Sequence, residues 1–286
     1  MNFLVQINDK ITQFFKWTLI CVAMLICLYI GYEFPVHKAD THLLAIIFTA
    51  IFLSPYLQIQ LPRTKIHLTV SEAMIFIALM MYGIEVGVYL AATEVIFTCV
   101  ILNRQKVKMK PQTIALNVAT MVISTFATGI VAVSVFGSMP EVVNGGNISA
   151  LVLMLSLMTI TQFAVNSAFV AFFTAQKTGK PIWRVWNDTC LNALVIYIFN
   201  ALIAGVLIRA IMSINATLLL VTALVFGVVF FTYRRYVDDI KKTSAKAEQA
   251  ERERAEQAEN HVQELQHYVA ELEKSSQALR ERKDRF

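Results

Sequence analysis

The chain has 286 residues, 57% of them apolar and only 16% charged, with a formal net charge of +5. That balance excludes an ordinary soluble domain and belongs to a chain whose solvent is mostly lipid. Its Lys and Arg residues are spread over short loops and the tail rather than gathered on one face, so they report membrane topology and give no basis for a nucleic-acid partner.

A short polar lead, Met1 to Lys10, precedes an apolar run through Ile30 with no small-residue cleavage site, which predicts an uncleaved first helix over 12–32. A membrane span takes roughly 20 apolar residues. Further candidates follow at 42–58, 70–83, 84–103, 113–136, 149–175, 189–210 and 214–233, a polytopic all-α bundle of about eight spans. The third is short. Before it, Pro62 and the alternation from Lys65 to Val70 predict an extended or re-entrant entry, and Gly83 in Tyr82-Gly83-Ile84-Glu85 predicts a tight helical hairpin into the fourth. Cys21, Cys27, Cys99 and Cys190 form no CxxC pair and read as small buried apolar residues.

Orientation follows from the basic residues, because short cytoplasmic loops collect Lys and Arg. With the N-terminus inside, the inner segments hold Lys10, Lys16, Arg63, Lys65, Arg104, Lys106, Lys108, Lys110, Lys177, Lys180, Arg184, Arg234 and Arg235, whereas the outer ones hold only Lys38 and Arg209. Both termini are therefore expected in the cytoplasm, and the loop 137–148, which has no basic residue, is expected outside.

After Tyr233 the composition turns to Lys, Arg, Glu, Gln and Ala, so the chain divides into a bundle over 1–236 and a cytoplasmic helix over 237–286. Val262, Val269 and Ser276 fall at a positions of a heptad, and Leu265, Leu272, Leu279 and Phe286 at d positions. A β-branched a layer with Leu at d favours two parallel strands, hence a homodimer.

Polar side chains deep in a span are costly and point to function. Glu94, Ser124, Gln162 and Asn200 lie near the middles of spans four to seven, one polar layer if those helices adjoin, where a carboxylate finds amide partners or takes up a proton. Asn117, Asn166 and Asn192 are expected nearer the cytoplasmic face, and Glu72 and Glu85 near interfaces, solvated. The competing account for the amides is helix-to-helix hydrogen bonding alone, worth about 0.6 kcal/mol per contact. No HExxH or GxSxG string occurs, and no ligand set for a metal or cofactor is apparent, so the chain is not expected to be an enzyme.

The stretch Leu61-Pro62-Arg63-Thr64-Lys65-Ile66-His67-Leu68-Thr69-Val70-Ser71-Glu72-Ala73, followed by Ala91-Ala92-Thr93-Glu94, the basic loop and Ala115-Leu116-Asn117-Val118-Ala119, resembles the membrane module at the head of many bacterial signalling proteins. The tail from Ala270 to Phe286 is similar to linkers that lead into PAS or GGDEF domains. The resemblance implies a sensor in the bacterial inner membrane that passes a signal through the coiled coil to a diguanylate cyclase, phosphodiesterase or kinase domain. No GGDEF, EAL or HD-GYP string occurs in these residues, so no catalytic role is carried over, and the output domain is expected in cis in a longer parent or in trans from a partner. The same module is also similar to the substrate-binding subunits of vitamin transporters, which implies the alternative of a small-molecule transport component.

Overall fold

The computed structural model describes residues 2–32, 40–53, 59–60, 67–68, 70–104, 109–212, 235–237, 239–240, 242–259 and 261–262. Two compact units are distinguished, Met1–Gly227 and Val228–Phe286. In the first, described residues form α1 (Asn2–Tyr32), α2 (Thr41–Phe48), α3 (Ser71–Tyr82), α4 (Ile84–Arg104), α5 (Pro111–Phe136), α6 (Met139–Asn144), α7 (Ile148–Thr178), α8 (Ile182–Val185) and α9 (Leu191–Met212). Wide π turns, Thr49–Leu53 and Trp186–Cys190, follow α2 and α8. One two-rung antiparallel ladder, β1 (Ile59–Gln60) with β2 (His67–Leu68), pairs Ile59 with Leu68 and Gln60 with His67.

Local chemistry sets the helix ends. The Asp40 carboxylate accepts the Leu43 N–H at 2.8 Å and caps α2. Asp40 also accepts the Tyr82 hydroxyl at 2.5 Å, which ties the start of α2 to the end of α3. Partial desolvation raises the Asp40 carboxyl, but the hydrogen bonds from Tyr82 and Leu43, with His42 beside it, outweigh that and hold it below its ordinary value. Pro111 opens α5, where its missing N–H costs nothing. The Asn147 side chain accepts the Ala150 N–H at 3.2 Å and caps α7. Between α3 and α4 the reversal rests on one residue, Gly83, whose φ of 104° is closed to residues with a side chain at ordinary cost.

Among the described residues, five helices are long and apolar enough to cross a membrane, by length and composition: Thr12–Tyr32, Ile84–Arg104, Pro111–Phe136, Ile148–Thr178 and Ala193–Met212. They coincide with five of the eight expected spans. The expected spans 42–58 and 70–83 instead contain short apolar helices, Thr41–Phe52 and Ser71–Tyr82. At 1.5 Å per residue the 12 residues of α3 cover about 18 Å, well short of the ~30 Å hydrocarbon core. The expected span 214–233 lies outside the described residues.

Helix α3 is the heart of this unit. Every residue from Ala73 to Met80 is 5% exposed or less, and a helix apolar on all sides is one surrounded by others. It packs on α4 and α9, while α5 packs on α1, α4 and α7. The helices approach closely at small residues, as lipid-embedded bundles do. A Cβ on Gly87 of α4 would stand 2.5 Å from Leu79 of α3, and one on Gly129 of α5 would stand 2.7 Å from Ile84 of α4.

In the second unit, residues 242–259 are helical and exposed throughout. Arg252 pairs with Glu248 at 2.6 Å and Gln249 donates to Glu253 at 3.0 Å, the i, i+4 contacts of a helix in water. Val262 is helical and 53% exposed. The other expected seam residues, Leu265, Val269, Leu272 and Leu279, lie outside the described residues.

Candidate functional site

Most of the buried polar side chains among the described residues fall into two groups, which Gln162 and Asn166 mark on successive turns of α7. The first group is centred on Gln162, which is 1% exposed. Its Oε1 accepts the Thr128 hydroxyl at 2.8 Å, and its Nε2 reaches Thr125 at 3.3 Å, Ser124 at 3.4 Å and the Met121 sulfur at 3.7 Å. Ser124 and Thr128 also donate to backbone carbonyls of α5, so their hydroxyls remain satisfied even without Gln162. This group is a lock between α5 and α7. The expected meeting of Ser124 and Gln162 is observed.

The second group lies one turn away, where Asn166 follows Gln162 by four residues on the same helix face. Asn166 Nδ2 donates to the Tyr197 hydroxyl of α9 at 2.6 Å. That hydroxyl stands at the carboxyl of Glu72, in the first turn of α3. Next to Glu72, the Ser71 hydroxyl is hydrogen-bonded to the carboxyl of Glu94, whose Oε1 also accepts Thr98 at 3.0 Å. Glu94 is 7% exposed and is the middle residue of the 21-residue α4. Helix α3 therefore starts level with the middle of α4, and the positive end of its dipole lies at the depth of both carboxylates. Phe163 holds the Tyr197 ring edge-on, with centroids 5.7 Å apart.

Glu94 thus belongs with Ser71 and Thr98 rather than with Ser124, Gln162 and Asn200. The expected single layer is two layers, because the short α3 brings its own polar end into the bundle at the height of Glu94. The expectation that Glu72 is solvated near an interface is corrected for the same reason: the residue is half-buried, yet its Oε2 is enclosed and has no hydrogen-bond partner among the described residues. Asn200 is fully buried; its Nδ2 donates to the Ile196 carbonyl at 3.0 Å, and its Oδ1 also lacks a partner. Asn117 stays outside both groups, exposed, with its amide 3.9 Å from the Cys99 sulfur. Of Asn192, only the helical backbone is described.

Glu72, Ser71 and Tyr197 are the site residues that span-by-span reading passes over. A signal for Glu72 was present: it and Glu94 each lie eleven residues from the Gly83 pivot, so an antiparallel hairpin places them side by side. Among the described residues neither carboxylate makes an ion pair with Lys, Arg or His. No group of three or more His, Cys, Asp or Glu that would hold a metal ion is found among them either. The arrangement is a buried cluster of carboxyl, hydroxyl and amide groups. No protein-family model, curated protein or solved structure matches this chain.

Proposed function

We propose that the chain is a membrane-embedded sensory and dimerisation module. It relays a signal through its C-terminal helix to a cytoplasmic output domain, in cis or in trans, of the kind used in cyclic di-GMP signalling. The observation that supports this most is the enclosed carboxylate group at the start of the half-length α3, in a chain that also carries a solvated helix with an exposed Val262 at the head of a Val and Leu seam. A ligand or membrane state that alters the seating of α3 biases the bundle between two packings, and a parallel helix pair transmits such a change as a small rotation or register shift. In this reading the bundle crosses the bacterial inner membrane with both termini in the cytoplasm.

Two measurements test it. A cysteine in place of the exposed Asn144 is expected to react with an impermeant reagent on intact cells, whereas one in place of Arg104 reacts only after the cells are opened. The reverse pattern rejects the orientation. In a fusion to a reporter cyclase, Glu94→Gln removes a hydrogen bond to a charged group worth about 1.5–3 kcal/mol, which moves a two-state output by about tenfold or more. Glu94→Leu is expected to lose thermal stability in detergent as well, because Ser71 and Thr98 then face an apolar side chain. Two variants indistinguishable from the parent in output and stability remove Glu94 from the site.

The half-length α3 also favours a second reading, a small-molecule transport component, since transporters build midplane binding sites from discontinuous helices. Substrate uptake that depends on Glu94, with no effect on a fused reporter, would select it.

A further inference from the structure

Two carboxylates stand at one level of the α3–α4 hairpin, with no described basic side chain to neutralise them. Like charges held at one level of a low-dielectric interior resist ionising together, and such a pair titrates as a unit. The groups that face it are few. Tyr197 comes from α9 with Cys190 beyond it, and Cys99 comes from α4 itself. The nearby α7 residue is the neutral amide Asn166. Tyr and Cys are neutral at ordinary pH, so they supply hydrogen bonds and no balancing charge.

An independent observation shows what is missing. The two buried side-chain oxygens without a hydrogen-bond partner among the described residues are Glu72 Oε2 and Asn200 Oδ1. Asn200 lies one turn from Tyr197 on the same face of α9. Both atoms are acceptors that lack a donor, and burial without one is costly. A proton is the smallest species that corrects this, because protonation turns a carboxyl oxygen from an acceptor into a donor.

We propose that Glu72 and Glu94 form a coupled proton-binding pair inside the bundle, with one exchangeable proton to the pair, beside the start of α3. The negative charge that remains is held by Ser71 and Thr98 on Glu94 and by the positive end of α3. Release of the proton to water leaves two facing carboxylates, whose repulsion drives the first turn of α3 away from α4. As the stimulus of the sensory site this inference rests on the function proposed above, but its chemistry stands without it.

The test is infrared spectroscopy of the full chain in lipid nanodiscs, following the protonated-carboxyl C=O band across the pH range in sodium chloride and in choline chloride. The expected result is a band that is present at neutral pH and titrates away as pH rises. The band moves to lower pH by about one unit or more in Glu72→Gln and in Glu94→Gln, where the repelling neighbour is gone, and it is lost in the double variant. A parent without a titrating band overturns the proposal, as does a band that survives the double substitution. A midpoint that falls as sodium replaces choline in the parent alone makes sodium the resident ion and overturns the proton. A normal titration with a reporter output insensitive to pH leaves the proton pair intact and counts against the sensory reading alone.

Discussion

Gly87→Ala is expected to destabilise the bundle by about 1–3 kcal/mol, against the direction of helix propensity. In an exposed helix interior the change would gain up to about 1 kcal/mol, since Ala is the better helix former. Here the added methyl meets Cγ and Cδ2 of Leu79 at 2.5 Å and the Leu79 backbone at 3.2 Å. Leu79 is fully buried and cannot swing aside, so α3 and α4 must separate. Pairing the substitution with Leu79→Ala should recover part of the loss, because the second change removes the clashing atoms. The thermal midpoint in detergent checks both. A stabilised Gly87→Ala variant would mean that the two helices do not touch at this point.

Leu265→Lys combined with Leu272→Lys is expected to convert the full chain from dimer to monomer in detergent. Both residues occupy d positions of the expected seam that Val262 begins, and two lysines per strand in a two-stranded core would replace the contacts that hold it and add like charges across it. Sedimentation with the detergent contribution subtracted reads the change directly. Glu256→Lys with Glu259→Lys, on the exposed helix before the seam, is the matched control and should leave the mass unchanged. If the d-site variant sediments as the parent does, the seam is not the interface.

The long spans were legible because an apolar run of 20 or more residues has few other uses, and the apolar part of α1, Thr12–Tyr32, with α4, α5, α7 and α9, follows the expected segments within a few residues. The half-length helices were not. Hydropathy registers how apolar a segment is and not where its backbone turns, so 42–58 and 70–83 read as spans although their helices occupy Thr41–Phe52 and Ser71–Tyr82. That one difference accounts for the misplacement of Glu72, which a full span starting at residue 70 would leave at an interface. It also explains why Glu94 found Ser71 rather than Gln162. The pairing of Gln162 with Ser124 was legible, since both sit mid-span on neighbouring long helices. The exposure of Asn117 was not, because an amide near one end of a span gives no indication of which way its helix is turned.

The short α3 also constrains how the chain is made. A 12-residue segment is too brief for the insertion machinery to pass into lipid alone, so α3 must enter joined to α4, as one hairpin bent at Gly83. At that stage Glu72 and Glu94 lack the Tyr197 side of their enclosure, because α4 ends at Arg104 and α9 begins only at Leu191. The nascent bundle therefore carries both carboxylates without that wall until α9 arrives. A chain arrested before Leu191 would expose those carboxylates to the translocation channel or to lipid, which gives membrane quality control a chemical mark of an unfinished molecule.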